Sequence, residues 1–385
     1  MASVLREGWE VKTLNTISKN LDSRRVPITK SARKEGNIPY YGASGIVDYV
    51  ADYLFDEDLL CISEDGANLI ARKYPIAFSI SGKTWVNNHA HILKFENSVS
   101  QRFVELYLNS INLSDYISGM AQPKLNQTKL NQIPILLPPL QEQEKIVAIL
   151  DEAFSAIDRA KVNAELNLQN AKELFESYLQ GIFENCGGGW KEKTLKEVCH
   201  KTTDGTHQTP KYFDEGVIFL SSRNVTSGKI NWDKIKYIDN KQHIEMHKRV
   251  APKRNDILLA KNGTTGVAAM VDRDVVFDIY VSLAHIRVLD EVEANFMLYF
   301  INSPVAKKQF NKRLKGSGVP NLHLNEIREV VISFPPLQEQ KQIVKKLNAI
   351  SQETKKLESI YTQKLQDLEE LKKSILQKAF NGELL

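Results

Sequence analysis

The chain has 385 residues, room for about two folding domains. Hydrophobic residues are 42% and charged residues 25%, an ordinary globular composition that excludes a disordered or collagen-like chain. The formal net charge of +4 permits a nucleic-acid partner without demanding one.

Taken in chain order, the N-terminus carries no long apolar stretch, so no signal peptide is expected. The motif Gly8-Trp9-(x)3-Thr13-Leu14 opens a mixed region, residues 8–137, in which short β-branched and aromatic runs are punctuated by glycine. Ile46-Val47-Asp48-Tyr49-Val50, Leu59-Leu60-Cys61-Ile62 and His91-Ile92-Leu93-Lys94-Phe95 read as strands, and residues 102–109 as a helix. Pro138-Pro139-Leu140-Gln141-Glu142-Gln143 then heads a long heptad-patterned stretch. After Gly187-Gly188-Gly189 the order repeats. Gly189-Trp190-(x)3-Thr194-Leu195 opens a second mixed region, residues 189–334. Its strands are Val217-Ile218-Phe219-Leu220, Ile257-Leu258-Leu259-Ala260 and residues 267–271, and its helix covers residues 296–301. Pro335-Pro336-Leu337-Gln338-Glu339-Gln340 heads a second long stretch.

The chain is therefore one module written twice. The proline-headed motif recurs at an offset of 197 (335 − 138), and the opening motif at 181 (189 − 8). The second mixed region is longer by 16 (197 − 181), and inside the two regions the copies are hard to align. The long stretches align throughout. Ile343, Leu347, Ile350, Thr354, Leu357, Tyr361, Lys364, Leu368, Leu371 and Ile375 step by 4 and 3 without a break. Their equivalents are Ile146, Leu150, Ala153, Ile157, Ala160, Ala164, Asn167, Ala171, Leu174 and Tyr178. This is an a/d seam with a shared polar position, Asn167 or Lys364, of the kind that fixes register. A helix of roughly 43 residues is about 65 Å long at the usual rise, and such a stripe needs a partner. The economical arrangement is antiparallel, with a globular region at each end. The expected fold is α+β: two mixed α/β domains joined by two long helices in an antiparallel coiled coil, a pseudo-twofold dumbbell. The expected boundaries are 1–137 and 187–334 for the domains, 138–186 and 335–385 for the spacer helices.

A repeated Pro-Pro-Leu-x-Glu-Gln heading a long helix, twice, around two divergent domains, resembles the specificity (S) subunit of type I restriction–modification enzymes. Pro39-Tyr40-Tyr41-Gly42-Ala43-Ser44-Gly45-Ile46, Gly66-Ala67-Asn68 and Trp85-Val86-Asn87-Asn88-His89-Ala90-His91 resemble one class of target-recognition domain. Asp204-Gly205-Thr206-His207-x-Thr209-Pro210-Lys211-Tyr212 with Gly263-Thr264-Thr265-Gly266 resembles another. The resemblance implies a non-catalytic subunit in which each recognition domain reads one half of a bipartite, asymmetric site on double-stranded DNA. It implies helices that set half-site spacing and dock two methyltransferase (M) subunits for N6-adenine methylation. With restriction (R) subunits the complex would cleave DNA using ATP. AdoMet, Mg and ATP are then expected only in partner subunits, and none on this chain. A stand-alone scaffold spacing two protein-binding domains is the alternative.

The chain's own motifs agree with a non-catalytic role. Ser81-Gly82-Lys83-Thr84 has Ala77 where a phosphate-binding loop needs its first glycine, so it reads as a strand and turn. His243-Ile244-Glu245-Met246-His247 lacks the zincin glutamate next to its first histidine and reads as a solvated helix face. Asp239-Asn240-Lys241 has no evident partner acid. No amino-methyltransferase motif is evident. Cys61, Cys186 and Cys199 are odd in number and lack metal spacing, which points to a reduced, cytoplasmic protein without a metal. The longest apolar runs, such as residues 133–140, are broken by proline and too short to span a membrane.

DNA contacts need basic, amide and aromatic groups on loops. The candidates in the first domain are Tyr41, Ser44, Arg72, Lys73, Lys83, Trp85, Asn87, Asn88, Lys124 and Asn126. In the second they are Thr206, His207, Lys211, Arg223, Asn224, Lys261, Asn262, Lys315, Ser317 and Asn321. Gln141, Glu142, Gln143, Gln338, Glu339 and Gln340 are candidates for docking the M subunits, beyond the helix-capping role that an acid in the first turn already explains.

Overall fold

Each half of the chain opens and closes on the same two-stranded ribbon. In this computed structural model, which describes residues 6–119, 121–225, 228–315 and 320–385, β1 (Glu10–Thr13) pairs antiparallel with β10 (Pro134–Leu137). The chain divides into two compact units, one of residues 1–165 with 363–385 and one of residues 166–362.

In unit 1 the ribbon is followed by α1 (Leu14–Ile17), β2 (Lys19–Asn20), β3 (Ile38–Gly42), β4 (Gly45–Val50), β5 (Phe55–Asp56) and β6 (Leu59–Ser63). Then come α2 (Asn68–Ala71), β7 (Ala77–Ile80), β8 (Lys83–Val86), β9 (Ala90–Lys94), α3 (Ser98–Ser110), α4 (Gln127–Asn131) and, after β10, the long α5 (Leu140–Glu184). Unit 2 pairs β11 (Lys191–Thr194) with β19 (Val331–Phe334). Between them lie β12 (Cys199–Asp204), β13 (Val217–Leu220), β14 (Lys236–Ile238), α6 (Asn240–Arg249), β15 (Ile257–Ala260), β16 (Ala268–Met270), β17 (Phe277–Ile279) and β18 (Leu283–Val288). The helices α7 (Ala294–Asn302), α8 (Pro304–Asn311), α9 (Leu324–Arg328) and α10 (Leu337–Phe380) complete it.

The mixed regions, hard to align as sequences, share one scaffold. One sheet has the order β2-β9-β6-β7 in unit 1 and β12-β18-β15-β16 in unit 2. In the second sheet a central strand pairs antiparallel with its hairpin partner and parallel with a later strand, as β4-β3-β8 and as β14-β13-β17. Strand alternation distributes the core identically. Leu60 and Ile62 face the cluster shared with α3 and α5, while Leu59 and Cys61 face the second sheet. At an offset of 197, Ile257 and Leu259 face α7 and the long helices, while Leu258 and Ala260 face the second sheet.

The proline-headed motif closes each scaffold. Proline ends the ribbon strand and suits a helix start because it needs no donor there. Trp9 donates through Nε1 to Glu142 at 3.0 Å, and Trp190 to Glu339 at 3.3 Å. Gln143 donates to the Pro138 carbonyl and accepts from the Ser100 hydroxyl on α3. Gln340 donates to the carbonyls of Pro335 and Glu291 and accepts from the backbone N–H of Glu293, the N-cap of α7. The first tryptophan and the last glutamine of the frame thus lock the long helix to its own sheet and helix layer.

The long helices run antiparallel. Within unit 1, Lys161 pairs with Glu369 and Asp158 with Lys372, so position numbers rise on one helix as they fall on the other. Within unit 2, Phe175, Leu179 and Phe183 share a cluster with Ile343, Val344 and Leu347. The expected seam is half right. Its row Leu150, Ile157, Ala164, Ala171 faces inward, as does Leu347, Thr354, Tyr361, Leu368, Ile375. The second row lies one residue later, at Phe154, Lys161, Leu168 and Phe175 on α5, and at Leu365 and Lys372 on α10. Asn167, Leu174, Tyr178, Lys364 and Leu371 are exposed, so the shared polar seam position is not there. A straight helix has 3.6 residues per turn and drifts off a strict heptad, and α5 and α10 also pack on the globular parts, which widens the buried stripe. Among the described residues no helix is long and apolar enough to cross a membrane.

Candidate nucleic-acid interface

In both units the loops after the β6/β15 strand and before the last short helix meet at one edge of the sheets. Asp65 bridges Lys124, and Ser118 bridges Lys124; at an offset of 197, Asn262 bridges Asn321, and Lys315 bridges Asn321. Gly66 and Gly263 occupy the same turn with φ of +104° and +75°, a region glycine enters without a Cβ penalty. The duplication therefore extends into the globular parts through Glu64-Asp65-Gly66 and Lys261-Asn262-Gly263. The Asx-Gly pair after an apolar strand was the signal; the charge reversal from Glu64 to Lys261 concealed it.

In unit 1 this edge gathers several candidates. The backbone N–H of Asn87 donates to the Tyr41 carbonyl, Ser63 donates to the Ala43 carbonyl, and the N–H of Glu64 donates to the His89 carbonyl. Lys124 sits 3.1 Å from Glu64. Tyr41, Ser44, Asn88, Lys124 and Asn126 thus share one rim, with Ser44 and Asn88 exposed at turns. Asn126 also caps α4 by accepting from the Lys129 N–H. His89, paired with Asp65 at 2.8 Å, and Arg25, which donates to Glu64, join the rim and were missed by sequence reasoning. Burial alone would raise the Glu64 carboxyl, but Arg25, His91 and Lys124 outweigh it and hold it below the usual carboxylate range.

Other first-domain candidates stand elsewhere or are spoken for. Asn87 is buried and its side-chain oxygen accepts from the His89 N–H, so it shapes the turn rather than facing a ligand. Arg72 donates to the carbonyls of Leu108 and Ile111, satisfying the end of α3, and with exposed Lys73 it borders the long helices rather than the rim. Trp85 donates to the Val26 carbonyl, and Lys83 lies 4.8 Å from the Tyr53 ring centroid.

In unit 2 the loop after β12 and the helix α6 frame a groove of about 950 Å³, lined by Thr206, His207, Lys211, Lys241, Gln242 and Arg249 among others. Gly205 makes this possible: a Cβ there would lie 1.9 Å from the Ile279 carbonyl oxygen. Under the loop, buried Asp204 meets Lys261 at 2.9 Å, His207 at 3.2 Å and the Arg249 guanidinium. Burial pushes that carboxyl up, but Arg249 and Lys261 prevail and it is held low. Gln242 clamps the loop by accepting from the Lys211 N–H and donating to its carbonyl. Arg249, Lys241 and Gln242 were missed by sequence reasoning; a helix pairing basic and amide groups beside a recognition loop was the available signal.

The remaining second-domain candidates divide. Lys261 is buried in its ion pair, and Asn224 is buried with its amide donating to the carbonyls of Asn231 and Lys234, so neither is free for a ligand. Arg223 neighbours Asn224 in a short 3-10 turn. Asn262, Asn321 and Lys315 share the bridge, and Lys315 pairs with Glu326 at 2.6 Å. Ser317 lies outside the described residues.

Three further expectations change. Of the docking candidates, Gln143 and Gln340 are buried and brace the chain internally; Glu142 and Glu339 accept from the two tryptophans, and Glu339, Gln141 and Gln338 are exposed. His243 and His247 are not on a solvated face but turn onto buried Asp278. Asp239 is the N-cap of α6, which accounts for it without chemistry. The turn reading of residues 81–84 agrees with the structure, where Gly82 has φ of +67° between β7 and β8.

Two segments, residues 6–168 and 187–369, match the family model described as type I restriction modification DNA specificity domain. The chain is 32% identical over 362 residues to a Haemophilus influenzae protein named for a type I restriction enzyme specificity subunit, S.HindORF215P, covering 88% of this chain and 87% of that one. It is 23% identical to the type I restriction enzyme MjaVIII specificity subunit of Methanocaldococcus jannaschii, covering 98% and 93%. Its fold matches a chain from a solved type I R-M system with a TM-score of 0.75 at 18% identity, covering 99% and 100%. On two family segments and a doubled scaffold, the chain belongs to the type I restriction–modification specificity subunits, proteins with two recognition domains and a DNA-recognition rather than a catalytic role.

Proposed function

We propose that each globular part reads one half of a bipartite, asymmetric site on double-stranded DNA, unit 1 through the Ser44, Asn88 and Lys124 rim and unit 2 through the Lys211, Gln242 and Arg249 groove. One observation carries the reading: the two parts share strand order and frame, and they differ in side chains at the same edge, as with Glu64 and Lys261. A frame shared by the two copies fixes where each reader stands, and divergent edges give each reader its own sequence, since base edges are read by donor and acceptor pattern. Gln208 and Asn88 supply paired amide groups suited to adenine, Gln242 holds the loop that presents Gln208, and Arg249 and Lys211 suit phosphate or guanine.

On this reading the helices set half-site spacing, and their exposed positions, Gln141 and Gln338 included, dock two M subunits that carry out N6-adenine methylation. AdoMet, Mg and ATP belong to partner subunits, with R subunits adding ATP-dependent cleavage, and the complex works in the cytoplasm. Replacing residues 8–137 by the corresponding segment of another family member, and mapping methylated adenines with M subunits present, tests it. One half-site should change and the other persist; a change in both halves refutes modular reading.

A further inference from the structure

We propose that His243, His247 and Asp278 form a binding site for a divalent transition-metal ion of the zinc class, which staples α6 to β17. The two histidines stand one helical turn apart on α6, so both side chains leave the same face. Asp278 comes from β17, where alternation sends Phe277 and Ile279 into the core and Asp278 to the opposite side. His243 Nδ1 lies 2.7 Å from Asp278 Oδ2, and His247 Nδ1 lies 3.0 Å from Oδ1. The three ligand atoms lie within 4.8 Å of one another.

The contrast with the chain's other buried aspartates carries the inference. Asp22 is met by Arg25, Asp204 by Arg249 and Lys261, and Asp256 by Arg287, each a permanent cation. Asp278 is just as buried, at 1% exposed, and its two oxygens are taken by two imidazoles, one each. Two nitrogens and one carboxylate oxygen are a donor set for zinc, not for magnesium or calcium, which take oxygen ligands. Donors about 2.0–2.2 Å from a tetrahedral ion stand roughly 3.3–3.6 Å apart, so an ion would spread the pairs at 2.7 and 3.0 Å by roughly 0.3–0.9 Å and bring the two Nδ1 atoms, within 4.8 Å of each other, to the same spacing. The ion replaces the Nδ1 proton of each ring; that proton moves to Nε2 of a neutral ring or to water from a charged one. His243 and His247 remain 17% and 32% exposed, which leaves the ion an entry path and a fourth position for water. The other side of α6 lines the groove through Gln242 and Arg249, so the staple would stiffen one wall of it. The metal site does not depend on what that groove binds.

The test uses the full chain, stripped with a chelator and titrated with Zn²⁺ and, separately, with Co²⁺ as a visible probe. The expected result is one Zn²⁺ per chain, low-coordinate cobalt absorption, and a melting temperature raised by zinc. H247Q and H243Q should each weaken uptake by at least about tenfold and lose the cobalt signal. H89Q, which removes an exposed histidine elsewhere, should leave both unchanged. No stoichiometric uptake by the wild-type chain overturns the proposal, as does wild-type uptake in either folded variant at the paired histidines.

Discussion

Asp256 shows how single residues hold the readers together. It is buried at the start of β15 and pairs with Arg287 at 2.6 Å and His285 at 2.7 Å. Burial opposes its charge, but the hydrogen bonds from Arg287 and His285 prevail and bring its carboxyl down to about 2. Because the folded value lies below the unfolded one, its contribution is fully present above the ordinary carboxylate value near 3.8 and is lost as pH falls toward 2. Asp256→Asn should cost about 3 kcal/mol by urea unfolding at pH 7, and the difference from wild type should shrink in acid. The cysteines give a second check. Burial pushes the Cys199 thiol up to about 12 and raises that of Cys61 as well, whereas Cys186 is exposed. A thiol reagent at pH 8 should modify one cysteine of the native chain and all three once it is unfolded.

At the scale of elements, the proposed ruler role of the long helices can be tested by length. Deleting one heptad from each, at matched positions 197 apart, removes about 10.5 Å of rise, which corresponds to about 3 base pairs of duplex. The methylated site of the assembled complex should keep both half-sites and change its spacer; an unaltered spacer would show that the helices do not measure it. The helices were legible because proline, an acid in the first turn and a long apolar stripe all act locally. Their second buried row was not: whether Ala153 or Phe154 faces inward depends on how far a straight helix drifts and on what lies beside it. The shared scaffold was hidden for a related reason. Strand pairing is non-local, and the same position holds Glu64 in one copy and Lys261 in the other, so likeness of place is masked by difference of charge. Lys261, Asn224 and Asn87 misled as candidates because side-chain type alone does not tell a loop reader from a buried brace.

For the whole molecule, each globular part is built with the helix end of the other repeat. Phe183, the end of α5, packs edge-on against Phe296 and Phe300, and its equivalent 197 residues later, Phe380, packs against Phe103 and Tyr107. Beyond Phe183 the chain continues through Gly187-Gly188-Gly189 to Trp190. Beyond Phe380 the same joint is made without a peptide link, by Arg6 donating to the Gly382 carbonyl at 2.7 Å beside Trp9. The joint at Gly382 thus rests on packing and a hydrogen bond rather than on chain continuity. A protease site placed at Gly188 should therefore yield two polypeptides that co-elute and stay associated in native mass spectrometry. Separation of the fragments on cleavage would mean that the two seams, alike in packing, differ in strength. If they hold, covalent continuity across residues 187–189 is dispensable, and what keeps each recognition domain in place is the aromatic helix end that the other repeat supplies to it.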